Sequence, residues 1–352
     1  MEQIFKSFQD RIAAATSERR ALRLVGGASK DWYGNVPRGD VLDTRACSGI
    51  MHYDPTELVI TARCGTPLTE IDAALAEHNQ MLAFEPPYFG SSATVGGMVA
   101  CGLSGPRRQA AGALRDFVLG AVLMDGKGDV LHFGGQVMKN VAGYDVSRLL
   151  AGSMGMLGLL LEASIKVLPR PVAERSLRIA MPQHEALALV NHWAGQPLPI
   201  SATAWHDDVL TVRLSGAGAA VDAATRKLGG ETIADADTYW MALREQTHTY
   251  FAGTQALWRL SLPSTAPALH LSGAQLIEWG GAQRWLRSDA AAGDIRASAE
   301  NVGGHATLFR GGDRDGGVFH PLAPVVARVH RNLKSAFDPQ GIFNPGRLVP
   351  DL

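Results

Sequence analysis

Ala93-Thr94-Val95-Gly96-Gly97-Met98-Val99-Ala100-Cys101-Gly102-Leu103-Ser104-Gly105 places four glycines in the ten positions 96–105, among mostly small side chains. Backbone without bulk can come within contact distance of something large and flat, and Thr94 adds a hydroxyl donor. Close helix packing accounts for Gly96 and Ala100, but not for that density of glycine. Upstream, Leu24-Val25-Gly26-Gly27-Ala28-Ser29 sets two glycines and two small residues directly after a short alternating strand. Such a loop either turns its N–H groups onto one anion, as a diphosphate cradle does, or is a plain tight turn. It is not a Walker A loop, and no Gly-x-Gly-x-x-Gly opens a helix there. Downstream, Gly152-Ser153-Met154-Gly155-Met156-Leu157-Gly158 leads into an apolar strand, and Lys139-Asn140-Val141-Ala142-Gly143-Tyr144-Asp145 precedes it. Arg107, Arg108, Arg115 and Asp116 flank the central stretch, where a cation could reach a phosphate or carboxylate. Together the clusters describe a site for a long, planar, phosphate-bearing ligand.

The rest of the chain sets the context. Its 352 residues carry 33 Lys+Arg against 34 Asp+Glu, a balance that lacks the electrostatic footprint of a nucleic-acid binder. With 46% hydrophobic and 19% charged residues, a large core is available and disorder is not expected. The length suggests two domains. Cys47, Cys64 and Cys101 are too few and too far apart for a disulfide framework, a zinc site or an iron–sulfur box. No secretory signal or membrane span is read, so the expected compartment is the cytoplasm.

Periodicity predicts a helix over 1–20 and strands at 22–25, 41–44 and 57–63. Thr66 reads as the N-cap of the next helix, with Pro67 at N1. A hairpin is expected at 117–133, turning at 125–128, and an apolar strand at 157–167. Pro169-Arg170-Pro171 is the expected boundary, dividing the chain into 1–171 and 172–352. Beyond it, strand 177–180, helix 183–193, strands 200–205 and 209–214 and helix 218–228 suit a ferredoxin-like α+β layer. Further strands are expected at 257–262 and 305–309, with a helix at 324–337 and no internal repeat.

Val25-Gly26-Gly27-Ala28-Ser29, Pro86-Pro87, Thr94-Val95-Gly96-Gly97, Arg115-Asp116 and the 139–145 and 152–158 motifs, in that order, resemble the PCMH-type FAD-binding domain of vanillyl-alcohol-oxidase-type flavoproteins. Within that superfamily the chain is similar to the E-subunit family of bacterial glycolate oxidases. That likeness extends to Gly303-Gly304-His305-Ala306-Thr307 and to the ending from Asp338 to Arg347, and so covers nearly the whole chain. It implies an α+β fold, with two α+β lobes clasping FAD and a truncated ferredoxin-like cap. By analogy Val25, Gly26, Gly27, Ala28 and Ser29 hold the pyrophosphate. Pro87, Thr94, Gly96, Gly97, Gly102, Ser104 and Gly105 lie along the cofactor, with Arg115 and Asp116 beside them. Gly155, Leu157, Gly158 and Ile165 line the adenosine end, and Asn344 and Arg347 close on the flavin. Ala28 occupies the position where many superfamily members attach FAD through a His, so non-covalent FAD is implied.

The resemblance also implies oxidation of glycolate, and often D-lactate, to the 2-oxo acid. The partners would be a larger FAD-binding subunit and an iron–sulfur subunit, with peripheral association at the inner membrane through the complex. Neither the His-x-Gly-Asp-Gly-Asn-x-His run nor the Glu-His-Gly of metal-bearing relatives occurs, and no metal is expected. Two roles follow, a flavin that reacts with substrate or a flavin-bearing scaffold, and a stand-alone FAD oxidase is a third.

Flavin chemistry on a 2-hydroxy acid needs a base for the hydroxyl proton and a cation for the carboxylate. His305 is the candidate base, or a structural residue at a strand start. Arg259 and Arg310 are candidate carboxylate clamps, or surface ion-pair partners. Tyr144 stacks on flavin or joins the core, and Trp240, Trp258, Trp279 and Trp285 pack the cap or anchor a partner.

Overall fold

The computed structural model describes residues 2–135 and 145–352; the expectations placed on Lys139 to Tyr144 lie outside them. The first half is built on an antiparallel sheet in the order Ile50–Asp54, Val59–Arg63, Leu159–Lys166, Val118–Met124, Val130–Gly134. Its apolar strands pack under Leu68–Glu77 and Val95–Cys101, so that Leu68, Ile71, Leu75, Val95, Met98 and Val99 are buried together with Ile60, Leu123 and Ile165. A separate pair, Leu22–Val25 and Asp40–Asp43, runs parallel. The opening helix Glu2–Glu18 covers it, with Phe8, Ile12 and Ala15 inward at helical spacing.

The expected N-cap shifts by one residue. Pro67 caps Leu68–Glu77 without a side-chain bond, because Thr66 is fully buried and its Oγ1 accepts from the Gly49 N–H at 2.8 Å. The strand Ile50–Asp54 was not expected; it is half-exposed and lacks a clean apolar alternation.

From Ala173 onward the chain builds a second sheet, antiparallel throughout. Its order is Glu231–Thr232, Ala173–Ala180, Val209–Gly216, Ile200–His206, Ala274–Glu278, Gln283–Arg287, Leu257–Ser261, His305–Arg310. Numbered by appearance within each half, the first four strands stand in the order 4-1-3-2 and the last four in the order 2-3-1-4. The sheet is thus two ferredoxin-like units joined edge to edge, a repeat of topology that sequence self-similarity does not display. The first unit has both crossover helices, Gln183–Ala194 and Gly218–Leu228; the second has Ala292–Glu300 alone, its other connection being irregular.

Helices cover one face of this sheet: Leu210, Val212 and Leu214 lie under the first two helices, and Leu260, Leu286, Ala306 and Leu308 under the third. Strand alternation sends Arg213, Glu278, Gln283, Arg259 and Phe309 to the opposite face. That face is closed by the first half, through the cluster of Tyr33, Leu103, Met154, Leu276, Trp285 and Phe309.

After the helix Pro324–Phe337 the chain returns to the first half. Phe343 bridges to Leu22, and Ile342 and Phe343 are buried beside Leu42 and Leu161. The buried Lys334 ammonium fixes this return by donating to Asp338 Oδ2 at 2.7 Å, the Phe343 carbonyl at 2.7 Å and the Met156 carbonyl at 2.8 Å.

Candidate cofactor cleft

The loop Gly26 to Lys30 follows its strand into a cleft of about 810 Å³, part of it open to solvent. Two approaches shape this loop, and both need glycine. A Cβ on Gly27 would lie 1.4 Å from the Ser92 carbonyl oxygen, and one on Gly26 would lie 2.4 Å from Thr94 Oγ1. The density of glycine here therefore reflects two loops of the protein meeting, rather than bare backbone held for a ligand. Ala28 turns the chain at φ 55°, in the left-handed region, and Ser92 Oγ donates to the Gly27 carbonyl at 2.6 Å.

What the loop leaves free bears on a ligand. Among the described residues, the N–H groups of Gly26, Gly27, Ala28 and Ser29 have no protein acceptor. Four successive free donors on a bent loop suit phosphate oxygens. Two cations stand beside them. Arg23 pairs with Asp31 while its buried Nε has no partner. Lys30 is 7% exposed and donates to Ser29 Oγ and the Tyr88 carbonyl; burial lowers its pKa. Leu159, Leu160 and Met154 give the cleft apolar wall for ring systems.

Val25, Gly26, Gly27, Ala28, Ser29, Thr94, Gly96, Gly97, Gly155, Gly158, Asn344 and Arg347 all line this cleft. Thr94 caps Val95–Cys101 through the Gly97 N–H. A Cβ on Gly97 would meet only Thr94 Oγ1, at 3.3 Å, so that position borders open space. Asn344 donates to the Met154 carbonyl at 2.7 Å and accepts from the Leu24 N–H at 2.8 Å. Arg347 spends its guanidinium on the carbonyls of Asn35 and Asp31. The C-terminal residues thus hold the cleft's loop in place.

Other expected residues sit elsewhere. Gly102 ends its helix at φ 64° against Gly152. Arg115 and Asp116 are exposed and pair with each other at 3.9 Å, Asp116 also accepting from the Ala113 N–H. Leu157 and Ile165 are buried in the first core, Ile165 paired across the sheet with Ile60 and Val118. None of these five lines the cleft; Leu159 and Leu160 stand there instead. Sequence reasoning also passed over Arg23 and Lys30, although basic residues flanking a small-residue loop were the available signal.

Pro87, Ser104 and Gly105 line a second, narrow cavity between the first half and the large sheet, of about 320 Å³ with the open space at its mouth counted. Arg259 lines it too. Arg310 does not: it stacks on Trp32 at 4.4 Å and donates to Gln246. His305 is exposed at the start of the edge strand, where partial burial and the nearby Arg259 and His320 lower its pKa. The structure therefore does not bring the three catalytic candidates together in one cavity. Trp240, Trp258, Trp279 and Trp285 are all buried within the protein. Among the described residues, no three His, Cys, Asp or Glu side chains are grouped to hold a metal, and no helix is long and apolar enough to cross a membrane.

Comparison with known proteins gives this geometry its family. Residues 6–134 match the family described as an FAD binding domain. The glycolate oxidase subunit GlcE of Escherichia coli K12 is 51% identical over 343 residues, which is 97% of each chain. The chain belongs to the GlcE family. Its relatives extend to the glycolate oxidase subunit GlcD of Bacillus subtilis, 29% identical over 49% of this chain and 40% of that one. A D-lactate dehydrogenase of Archaeoglobus fulgidus is 34% identical over 50% of this chain and 40% of its own. A solved alkyldihydroxyacetonephosphate synthase superposes with a TM-score of 0.68 at 15% identity, over 97% of this chain and 75% of that one, a likeness of fold. The free donors, flanking cations and apolar wall fit FAD, the cofactor of this family.

Proposed function

We propose that the chain is the FAD-bearing subunit of a glycolate oxidase assembly. The assembly oxidises glycolate, and D-lactate with it, to the 2-oxo acid and passes the electrons to an iron–sulfur subunit and the respiratory chain. The observation that carries this reading is the donor-rich loop at 26–29 opening into an apolar cleft, in a chain that matches a glycolate oxidase subunit end to end. A larger FAD-binding subunit related to GlcD is the expected neighbour, with any membrane contact made through the complex. Residues 1–171 would form the cofactor domain and 172–352 the cap, the last turn of chain returning to brace the former.

Bound FAD supplies a two-electron acceptor, which no side chain of the protein does. The protein's part is binding and orientation. The N–H groups of 26–29 would take the diphosphate, with Arg23 and Lys30 offsetting its charge, and Leu159 and Leu160 would meet the apolar rings. Ala28 offers no nucleophile for a covalent link, so the FAD is non-covalent.

The test is an anaerobic visible spectrum of the purified chain before and after adding glycolate. Bleaching of the flavin band is expected if this chain turns over substrate. A band that persists assigns oxidation to the partner subunit and leaves this chain a flavin-bearing scaffold. Absence of any flavin band overturns the reading.

A further inference from the structure

The second cavity lies under the inner face of the large sheet, and its polar groups are arranged by strand register. Arg259 stands opposite Trp285, and Gln283 stands opposite Glu278. Glu278 is buried, accepting from Trp285 Nε1 at 2.6 Å and from Gln283 Nε2 at 3.1 Å. Arg259 is half-buried, and among the described residues no carboxylate or acceptor pairs with its guanidinium. The neighbouring arginines are engaged: Arg244 with Glu245 at 2.8 Å, and Arg310 with Gln246 and the Trp32 ring. One unpaired cation and one buried carboxyl therefore face the same small, aromatic-walled space. A guanidinium half out of water without a partner is costly to keep unless something pairs with it.

We propose that this cavity binds a small 2-hydroxy carboxylate, Arg259 pairing with the carboxylate and Glu278 accepting the hydroxyl. The hydroxy-acid identity rests on the proposed function; the site rests on the geometry. A carboxylate alone would satisfy Arg259, so Glu278 is the group that selects for the hydroxyl. Burial pushes the Glu278 pKa up to about 7; the bonds from Trp285 and Gln283 pull the other way, as does Arg259, while Glu85 reinforces the rise. Tyr239, from the helix Ala236–Arg244, is the other titratable group that senses Glu278, and Arg244 stands on the cavity wall. Ionised, Glu278 is a strong acceptor for a hydroxyl hydrogen.

The test is calorimetric titration of the FAD-loaded chain with 2-hydroxyisobutyrate and with isobutyrate. Neither can be oxidised at Cα to a ketone, so binding is read apart from turnover. The wild type should favour the hydroxy acid. Arg259→Met should weaken both ligands by about tenfold or more, and Arg259→Lys by less. Glu278→Gln should cut the hydroxyl preference about fivefold and leave isobutyrate little changed. Full flavin content and a single cooperative melting transition check that each variant folds. No binding by the wild type at tens of millimolar, equal binding by Arg259→Met, or an undiminished hydroxyl preference in Glu278→Gln overturns the proposal. If the ligand binds as described while glycolate leaves the flavin band intact, the site stands and oxidation by this chain falls.

Discussion

Gly97 and Gly27 sit in the same cleft but fail differently when given a side chain. A Cβ on Gly97 meets only Thr94 Oγ1, at 3.3 Å, and otherwise open space. Gly97 lies inside the helix Val95–Cys101, where Leu is favoured over Gly by roughly 0.5–1 kcal/mol. That gain should offset the slight crowding of Thr94, so Gly97→Leu should leave the FAD-free protein within about 1 kcal/mol of wild type. The added isobutyl group projects toward the cleft, and FAD affinity should fall by about a hundredfold, roughly 2.7 kcal/mol. Gly27→Ala reverses the pattern. Its Cβ would stand 1.4 Å from the Ser92 carbonyl oxygen, so one loop must retreat by roughly 2 Å to reach normal contact. That variant should lose about 2–4 kcal/mol of stability and its flavin together. The assay is urea unfolding of the FAD-free proteins alongside a flavin-fluorescence titration. Full flavin occupancy at wild-type affinity in Gly97→Leu would refute the assignment of the cleft.

Three further outcomes follow from buried polar groups. The Glu278 pKa is raised on folding to about 7, so the folded state favours the protonated form, and stability is lost as pH rises from about 4.5 through 7. Glu278→Gln should therefore gain on wild type by up to about 3 kcal/mol between pH 4 and pH 8 in denaturant melts; a pH-independent difference would contradict the assignment. Lys334→Met strands the Asp338 carboxylate, whose side chain is fully buried, and should cost about 3–5 kcal/mol. Adding Asp338→Asn to it should recover part of that loss, and a double variant no better than the single would count against the ion pair. Asn344→Leu removes the bonds to Leu24 and Met154 and should cost about 2 kcal/mol. It should also weaken FAD binding, since Leu24 leads into the donor loop; flavin affinity equal to wild type would detach the C-terminus from the site.

Much of the cleft was legible because glycine leaves a strong local mark. Where a Cβ would fall 1.4 Å from a carbonyl oxygen no other residue can stand, so Gly26-Gly27 and the 96–105 cluster announce close approach whatever lies beyond them. Alternating strands, the 125–128 turn and the helices 218–228 and 324–337 were likewise set by nearest neighbours. The reason for the glycines was not legible: Gly27 makes room for Ser92, a residue of the protein itself. Nor was the second cavity: Arg259 stood out as a candidate carboxylate clamp, but the strands that carry Glu278 and Gln283 were not expected, so nothing in the sequence joined the three. Whether a sheet face is wet depends on what packs against it, and here the first half of the chain does. Only strand pairing puts Gln283 opposite Glu278 and Trp285 opposite Arg259, and only the returning C-terminus sets Asn344 against Leu24, 320 residues away. Local backbone chemistry fixed the loops and elements; burial, register and contacts between distant segments decided which polar groups share a cavity, because those are properties of surfaces that exist only once the halves have met.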